Sequence, residues 1–273
     1  MSAATVVAGP SPLDRGRLRA RLAAGEPTLG TFVGAASPVT AEACAAAGVD
    51  WLVLDLEHGS GGEEQVRDVV PAAGAYGVPT VVRVESAARI RIGRVLDLGA
   101  AGVMLPRMDG AEEVREAVGH LRYPPRGDRG VATYNRACRF GLDPGALGRA
   151  GDEVLGVVQI ESAGAVQQVE QIAAIDGVDV LFVGPADLSH SLGVPFELQA
   201  PAYLQAVERI RSAAGRHGKA CGLLVGDGAA AAARQAEGWT FVAIGSDTTL
   251  LTAAVAGELG RARPASATPG GRA

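Results

Sequence analysis

Five polar residues stand where short apolar runs end, and their types suit chemistry beside a carbonyl group. Asp55 and His58 close LVLDLEHGSGG, Arg83 ends VVRVES, Glu161 ends VVQIES, and Asp187 follows a Gly-Pro step in LFVGPADLSH. Glu161 and Asp187 are hard oxygen donors, a set suited to Mg²⁺ or Mn²⁺, which take a few carboxylates and keep positions open for water and substrate oxygens. A second reading has Glu161 capping the next helix and Asp187 fixing a turn. His58 lies three residues after Asp55 in a Gly-rich turn, where the two side chains have room to meet. A carboxylate there orients an imidazole and raises its basicity, as a general base near neutral pH requires. The alternative is an ordinary loop histidine. Arg83, emerging from the next apolar run, would place a cation beside a developing enolate oxygen.

A base, a cation and a metal together suit proton removal alpha to a carbonyl, or making and breaking a carbon–carbon bond through an enolate. Aldol chemistry also runs through a lysine Schiff base. Lys219 is the only lysine in the chain, and it precedes an apolar run instead of ending one. It is therefore expected at the face away from the site, which favours the metal route.

These residues need elements that bring strand ends to one place. Eight aliphatic segments recur, Leu29–Val33, Trp51–Asp55, Thr80–Val84, Gly102–Leu105, Val154–Ile160, Val180–Val183, Ala220–Val225 and Phe241–Ile244. Between them lie Ala-rich stretches with helical spacing, such as Thr40–Ala47 and Glu63–Tyr76. That alternation is the βαβα pattern of a parallel sheet, and eight units close a barrel more naturally than they extend an open sheet. The predicted fold is a single (β/α)₈ TIM barrel over residues 13–262, with active residues on the carboxyl ends of its strands. Tyr123–Gly141 reads as an extended loop in the longest gap, and residues 1–12 and 263–273, rich in Pro, Gly, Ser and Ala, read as disordered tails.

Composition narrows the partners. A formal net charge of -5 gives no electrostatic reason to bind nucleic acid or an anionic membrane. No run of about 18 apolar residues occurs, and Met1–Pro12 has no signal-peptide pattern, so a cytoplasmic protein acting on a small molecule is expected. Cys44, Cys138 and Cys221 lie far apart with no paired spacing, which argues against a disulfide framework or a zinc ribbon.

The chain resembles the HpcH/HpaI aldolase/citrate lyase family, whose metal-dependent members cleave 2-oxo acids to pyruvate. WLVLDLEHG at Trp51–Gly59, PTVVRV at Pro79–Val84, GAAGVMLPRM at Gly99–Met108, VVQIES at Val157–Ser162 and VGPADLSHSLG at Val183–Gly193 carry the likeness. The resemblance implies a phosphoenolpyruvate/pyruvate-type barrel in which Glu161 and Asp187 hold Mg²⁺, Mn²⁺ or Co²⁺. It further implies that His58, paired with Asp55, handles the proton, that Arg83 holds the keto oxygen of pyruvate, and that Gln159, Ala186 and Asp187 line the substrate. It also implies a homo-oligomer, a hexamer built as a trimer of dimers, with Arg126–Gly141 a candidate to act in trans and a C-terminal helix exchanged between subunits. Arg107, after the proline of the fourth segment, departs from the commoner pattern, and its side chain either tunes the aldehyde or faces solvent.

Two rival readings stand beside this one. A citrate lyase or malyl-CoA lyase activity uses a similar acidic pair but needs a basic groove for coenzyme A, and no lysine-rich stretch supplies it. A non-catalytic barrel binding a sugar acid or phosphate would use Gly226, Gly228 and Gly245 as an anion nest.

Overall fold

The computed structural model describes residues 15–143 and 145–263, so the two tails expected to be disordered lie outside the described residues, apart from Arg263. Eight parallel strands close into a barrel in chain order, as the alternation predicted. They are β1 (Thr28–Val33), β2 (Trp51–Asp55), β3 (Thr80–Arg83), β4 (Gly102–Leu105), β5 (Leu155–Ile160), β6 (Val180–Val183), β7 (Ala220–Val225) and β8 (Phe241–Ser246). Strands of a parallel barrel are covered on both faces, so they read as unbroken apolar runs, and every residue of β2, β4, β5 and β6 is buried.

Alternate residues then divide between two cores. Inward-pointing Phe32, Trp51, Val53, Val81, Met104, Val157, Phe182 and Phe241 fill the barrel, while outward-pointing Val33, Leu52, Leu54, Val82 and Leu181 meet the surrounding helices. Near the amino end Trp51 and Phe241 stack with centroids 3.7 Å apart, and the Trp51 indole donates to Thr28 Oγ1 at 2.9 Å. The helix Arg15–Ala23 belongs to the same end, for its Leu18 and Leu22 join the interior cluster. Arg19 pairs with Asp179 at 2.9 Å and Arg21 with Asp50 at 2.8 Å, tying that helix to the starts of β6 and β2.

The carboxyl end is the opposite in character, open and polar. The seam between β1 and β8 carries a register irregularity at Gly30/Phe32, and Thr31 Oγ1 donates to the Ile244 carbonyl across it at 2.8 Å. Just beyond, buried Asp247 ties the first loop to the last helix. Its carboxylate accepts N–H groups of Gly34 and Ala35 and the Thr40 hydroxyl.

The gap after β4 holds more structure than a loop. A helix at Ala111–Gly119 is followed by a short 3₁₀ turn at Arg136–Gly141 and a second helix at Ala146–Glu153. Gly148 and Gly151 weaken the propensity of that second helix, and its buried face is only Ala146 and Ala150, so little in the sequence announces it.

Candidate active site

At the carboxyl end the strand termini line a cavity of about 610 Å³. Phe32, Asp55, Arg83, Gln159, Glu161, Phe182, Ala186, Asp187 and His58 all face it, so every residue the sequence nominated reaches one place. Parallel pairing explains much of this convergence. Asp55 and Arg83 are direct register partners at the ends of β2 and β3, so their side chains leave the sheet side by side.

That register decides their chemistry. Arg83 donates Nε to Asp55 Oδ1 at 2.8 Å and Nη2 to Oδ2 at 2.6 Å, a two-bond clamp. Nη1 lies 3.2 Å from Glu57 Oε2, and the guanidinium sits over the Phe32 ring, 5.2 Å from its centroid. All three charged side chains are largely buried, with 12% exposure at Arg83, 8% at Asp55 and 11% at Glu57. Burial pushes the Asp55 carboxyl up, but the Arg83 hydrogen bonds and charge, with the His58 and Glu57 N–H groups, hold it below its ordinary value. Burial would lower the Arg83 pKa, and the surrounding carboxylates more than reverse that.

The expected side-chain pairing of Asp55 with His58 is not made. Both Asp55 oxygens are engaged by Arg83, and His58 offers Asp55 only its backbone N–H, at 3.2 Å. The imidazole is 64% exposed, with Nε2 3.7 Å from Glu57 Oε2. The turn that arranges this is tight, for a Cβ at Gly59 would lie 2.1 Å from the Asp55 carbonyl oxygen. Glu57 is therefore a functional candidate that sequence reasoning missed. Its spacing of two from Asp55 was the available signal, since alternate residues of an extended chain share a face.

Glu161 follows β5 and is held on both oxygens. The Arg107 backbone N–H donates to Oε1 at 2.6 Å, and Gln159 Nε2 donates to Oε2 at 2.9 Å. Gly184 lies directly against the carboxylate, since a Cβ there would come within 2.3 Å of Oε2. Burial pushes the Glu161 carboxyl up to about 7; the Arg107 N–H opposes this, the Asp187 and Glu57 charges add to it, and the Arg83 charge opposes it. Asp187 sits in the first turn of the helix Pro185–Ser191, beside Ala186. Glu161 does not cap the following helix: Ser162 does, accepting from Ala165 N–H.

The donor set fits a divalent cation. Asp55, Glu57 and Glu161 surround one buried guanidinium, that of Arg83, and Asp187 adds its charge beside Glu161, so carboxylates outnumber the cation. Gln159 Oε1 is buried with no hydrogen-bond partner, next to Glu161. No group of three or more His, Cys, Asp or Glu side chains that could hold a metal ion is found among the described residues.

The glycine-rich wall formed by the last two strands does not suit an anion. Asp227 and Ser246 already cap the two helices there, accepting from Ala230 and Thr249 N–H groups, and the Asp247 carboxylate begins the second. Lys219, at the amino end of β7, lines a separate cavity with Arg19, Asp152 and Asp179 on the far side of the barrel.

Comparison with known proteins extends this picture. The sequence profile described as HpcH/HpaI aldolase/citrate lyase matches residues 28–254. A hydroxypyruvate/pyruvate aldolase of Deinococcus radiodurans is 43% identical over 235 residues, covering 85% of this chain and 84% of the relative. A 2-keto-3-deoxy-L-rhamnonate aldolase of Klebsiella pneumoniae is 38% identical, covering 95% of this chain and 96% of the relative. A crystal structure of an HpcH/HpaI aldolase/citrate lyase family protein from Burkholderia cenocepacia superposes with a TM-score of 0.87 at 37% identity, covering 91% of this chain and all of that one. A matched profile across most of the barrel, and relatives this similar over nearly their full length, make this chain a member of the HpcH/HpaI aldolase/citrate lyase family.

Proposed function

We propose that this protein is a class II pyruvate aldolase, reversibly cleaving a 4-hydroxy-2-oxo acid to pyruvate and an aldehyde with a divalent cation held by Glu161 and Asp187. The family and its aldolase relatives make the chain a carbon–carbon lyase of the aldolase type. The observation that carries the finer reading is one cavity holding a clamped guanidinium on one wall and a carboxylate pair on another. A bound Mg²⁺, Mn²⁺ or Co²⁺ would supply Lewis-acid charge at the oxygens of the 2-oxo acid.

The chain's own groups do the rest. Arg83, unable to turn away while Asp55 and Glu57 grip it, is preorganised to meet the keto oxygen as negative charge develops there. His58 takes the proton of the C4 hydroxyl, the C3–C4 bond breaks, and its electron pair moves into the enolate of pyruvate as the aldehyde leaves. Protonation at C3 completes the reaction. Phe32, Phe182 and Leu224 give the cavity apolar walls that thin the water around the enolate.

Assembly is part of the proposal. The helix Asp247–Ala262 buries only Asp247 within the single chain and exposes Leu250, Leu251, Val255 and Leu259, an apolar face suited to a second copy. We take the protein to be a homo-oligomer, a hexamer in keeping with the resemblance, and to act in the cytoplasm. No helix among the described residues is long and apolar enough to cross a membrane.

Exchange of the pyruvate methyl protons with deuterated water, followed by NMR with and without added Mn²⁺, tests the core of this reading. Metal-dependent exchange that is lost in Arg83→Ala is expected. Exchange at the same rate in metal-stripped protein refutes the assignment.

A further inference from the structure

Arg107 is one of five non-glycine residues among those described whose φ is positive, at +53°. Its side chain is exposed, so no side-chain contact within the core demands that conformation. The neighbouring backbone does. The residue leaves the end of β4 through Pro106, its N–H reaches Glu161 Oε1 at 2.6 Å, and the very next side chain, Met108, is seated in the core at 3% exposure. The chain must aim one amide at the carboxylate and then turn at once to bury the following residue. A left-handed residue makes that turn, at a steric cost that any residue with a Cβ bears.

We propose that Arg107 is a positioning residue for the metal centre: its left-handed backbone aims the N–H that fixes the Glu161 carboxylate in ligating geometry before a cation arrives. The inference deepens the metal reading above and rests on it. Three neighbours converge on Glu161. The Arg107 N–H holds Oε1, the Gln159 amide holds Oε2, and Gly184, with no side chain, leaves the space that Oε2 occupies in that geometry. With only two protein carboxylates available, the fixed direction of one governs how little ordering remains when a cation binds. The residue at 107 therefore acts through its main chain, and what matters at this position is tolerance of positive φ. Charge and length of the side chain are secondary.

That distinction makes an unusual order of substitutions the test. Arg107→Gly removes the whole side chain and relaxes the backbone strain, whereas Arg107→Val keeps bulk and is β-branched, the type that least tolerates a left-handed turn. Mn²⁺ is titrated into metal-free wild-type and variant proteins, with free Mn²⁺ read by electron paramagnetic resonance and metal-free thermal unfolding measured in parallel. The expected result is an affinity within about threefold of wild type for Arg107→Gly and a loss of about 10–100-fold for Arg107→Val, the range seen when an outer partner of a metal ligand is removed. If the valine protein does not fold, Arg107→Ala carries the same comparison, with affinity below that of Arg107→Gly. A role confined to loop stability would lower the unfolding temperature of Arg107→Val and leave its Mn²⁺ affinity at the wild-type value, which overturns the proposal. A glycine variant as weak as the valine variant also overturns it, since the side chain would then be the active part. Wild-type protein that binds no Mn²⁺ refutes the metal reading itself, and is told apart because no variant is needed to see it.

Discussion

A single methyl group at Gly184 should disable the site without touching a charged residue. The Cβ of Gly184→Ala would stand 2.3 Å from Glu161 Oε2 and 3.0 Å from Glu161 Cβ, so rotating the carboxylate alone does not relieve the clash. Retreat to even 3.0 Å moves Oε2 by about 0.7 Å, and the same oxygen accepts from Gln159 at 2.9 Å while its partner oxygen accepts from Arg107 N–H at 2.6 Å. At least one of these bonds must lengthen beyond useful range. A misplacement approaching 1 Å in a reacting constellation costs on the order of 10² in rate, and disturbing the partners of a metal ligand costs about 10–100-fold in metal affinity. Steady-state cleavage of a 4-hydroxy-2-oxo acid across a Mn²⁺ series should therefore show kcat down about 10²-fold, with a matching rise in the Mn²⁺ concentration required. Thermal unfolding should remain cooperative, because the strain is local to the cavity. A Gly184→Ala enzyme with wild-type kcat and wild-type Mn²⁺ demand would mean that Glu161 does not need the position shown.

His58→Ala should lower aldol cleavage by about 10²–10⁴-fold, the usual worth of a positioned general base, while metal-dependent exchange of the pyruvate methyl protons survives; cleavage at the wild-type rate would make His58 a loop residue. In metal-free protein, Glu161 carries a carboxyl raised to about 7, so the folded state holds a proton that the unfolded state releases near 4.5, and stability conferred by the protonated form declines as pH rises through that interval. Urea midpoints compared between wild type and Glu161→Gln should diverge from pH 4.5 to about 7, with the variant gaining on wild type; parallel curves would remove the shift. Borohydride with pyruvate should leave the enzyme active and Lys219 unmodified by mass spectrometry, because the only lysine lies at the amino end of β7 and reaches no group in the substrate cavity; a reduced pyruvate adduct on Lys219 would reverse that conclusion.

The strands were legible because burial on both faces leaves an unbroken aliphatic run, and differences are confined to ends. Val154, read as part of the fifth strand, instead caps the helix before it, and the eighth strand runs on to Ser246, past its last apolar residue, Ile244. Asp55, Arg83 and Glu161 were legible for a related reason, since a charged residue at the end of a buried strand has few places to go except the barrel mouth, and Asp187 follows such a strand by one Gly-Pro step. Their partners were not. Whether Asp55 answers His58 or Arg83 depends on which residues of β2 and β3 lie abreast, a relation between strands that linear spacing does not contain. The hold on Glu161 was hidden more deeply, because it comes from the main chain of Arg107, and a backbone N–H has no letter of its own in a sequence.

The separation of the barrel's two ends has a practical side. Lys219 is the sole lysine, and it sits beside the helix Arg15–Ala23, through which the chain enters its described structure. Side-chain amine and chain entry thus share the end opposite the cavity. A reagent coupled to the Lys219 amine would attach at that end, on residues separate from those lining the substrate cavity. Most proteins scatter their lysines; here lysine-directed labelling would mark one position per chain and leave the substrate cavity unmodified.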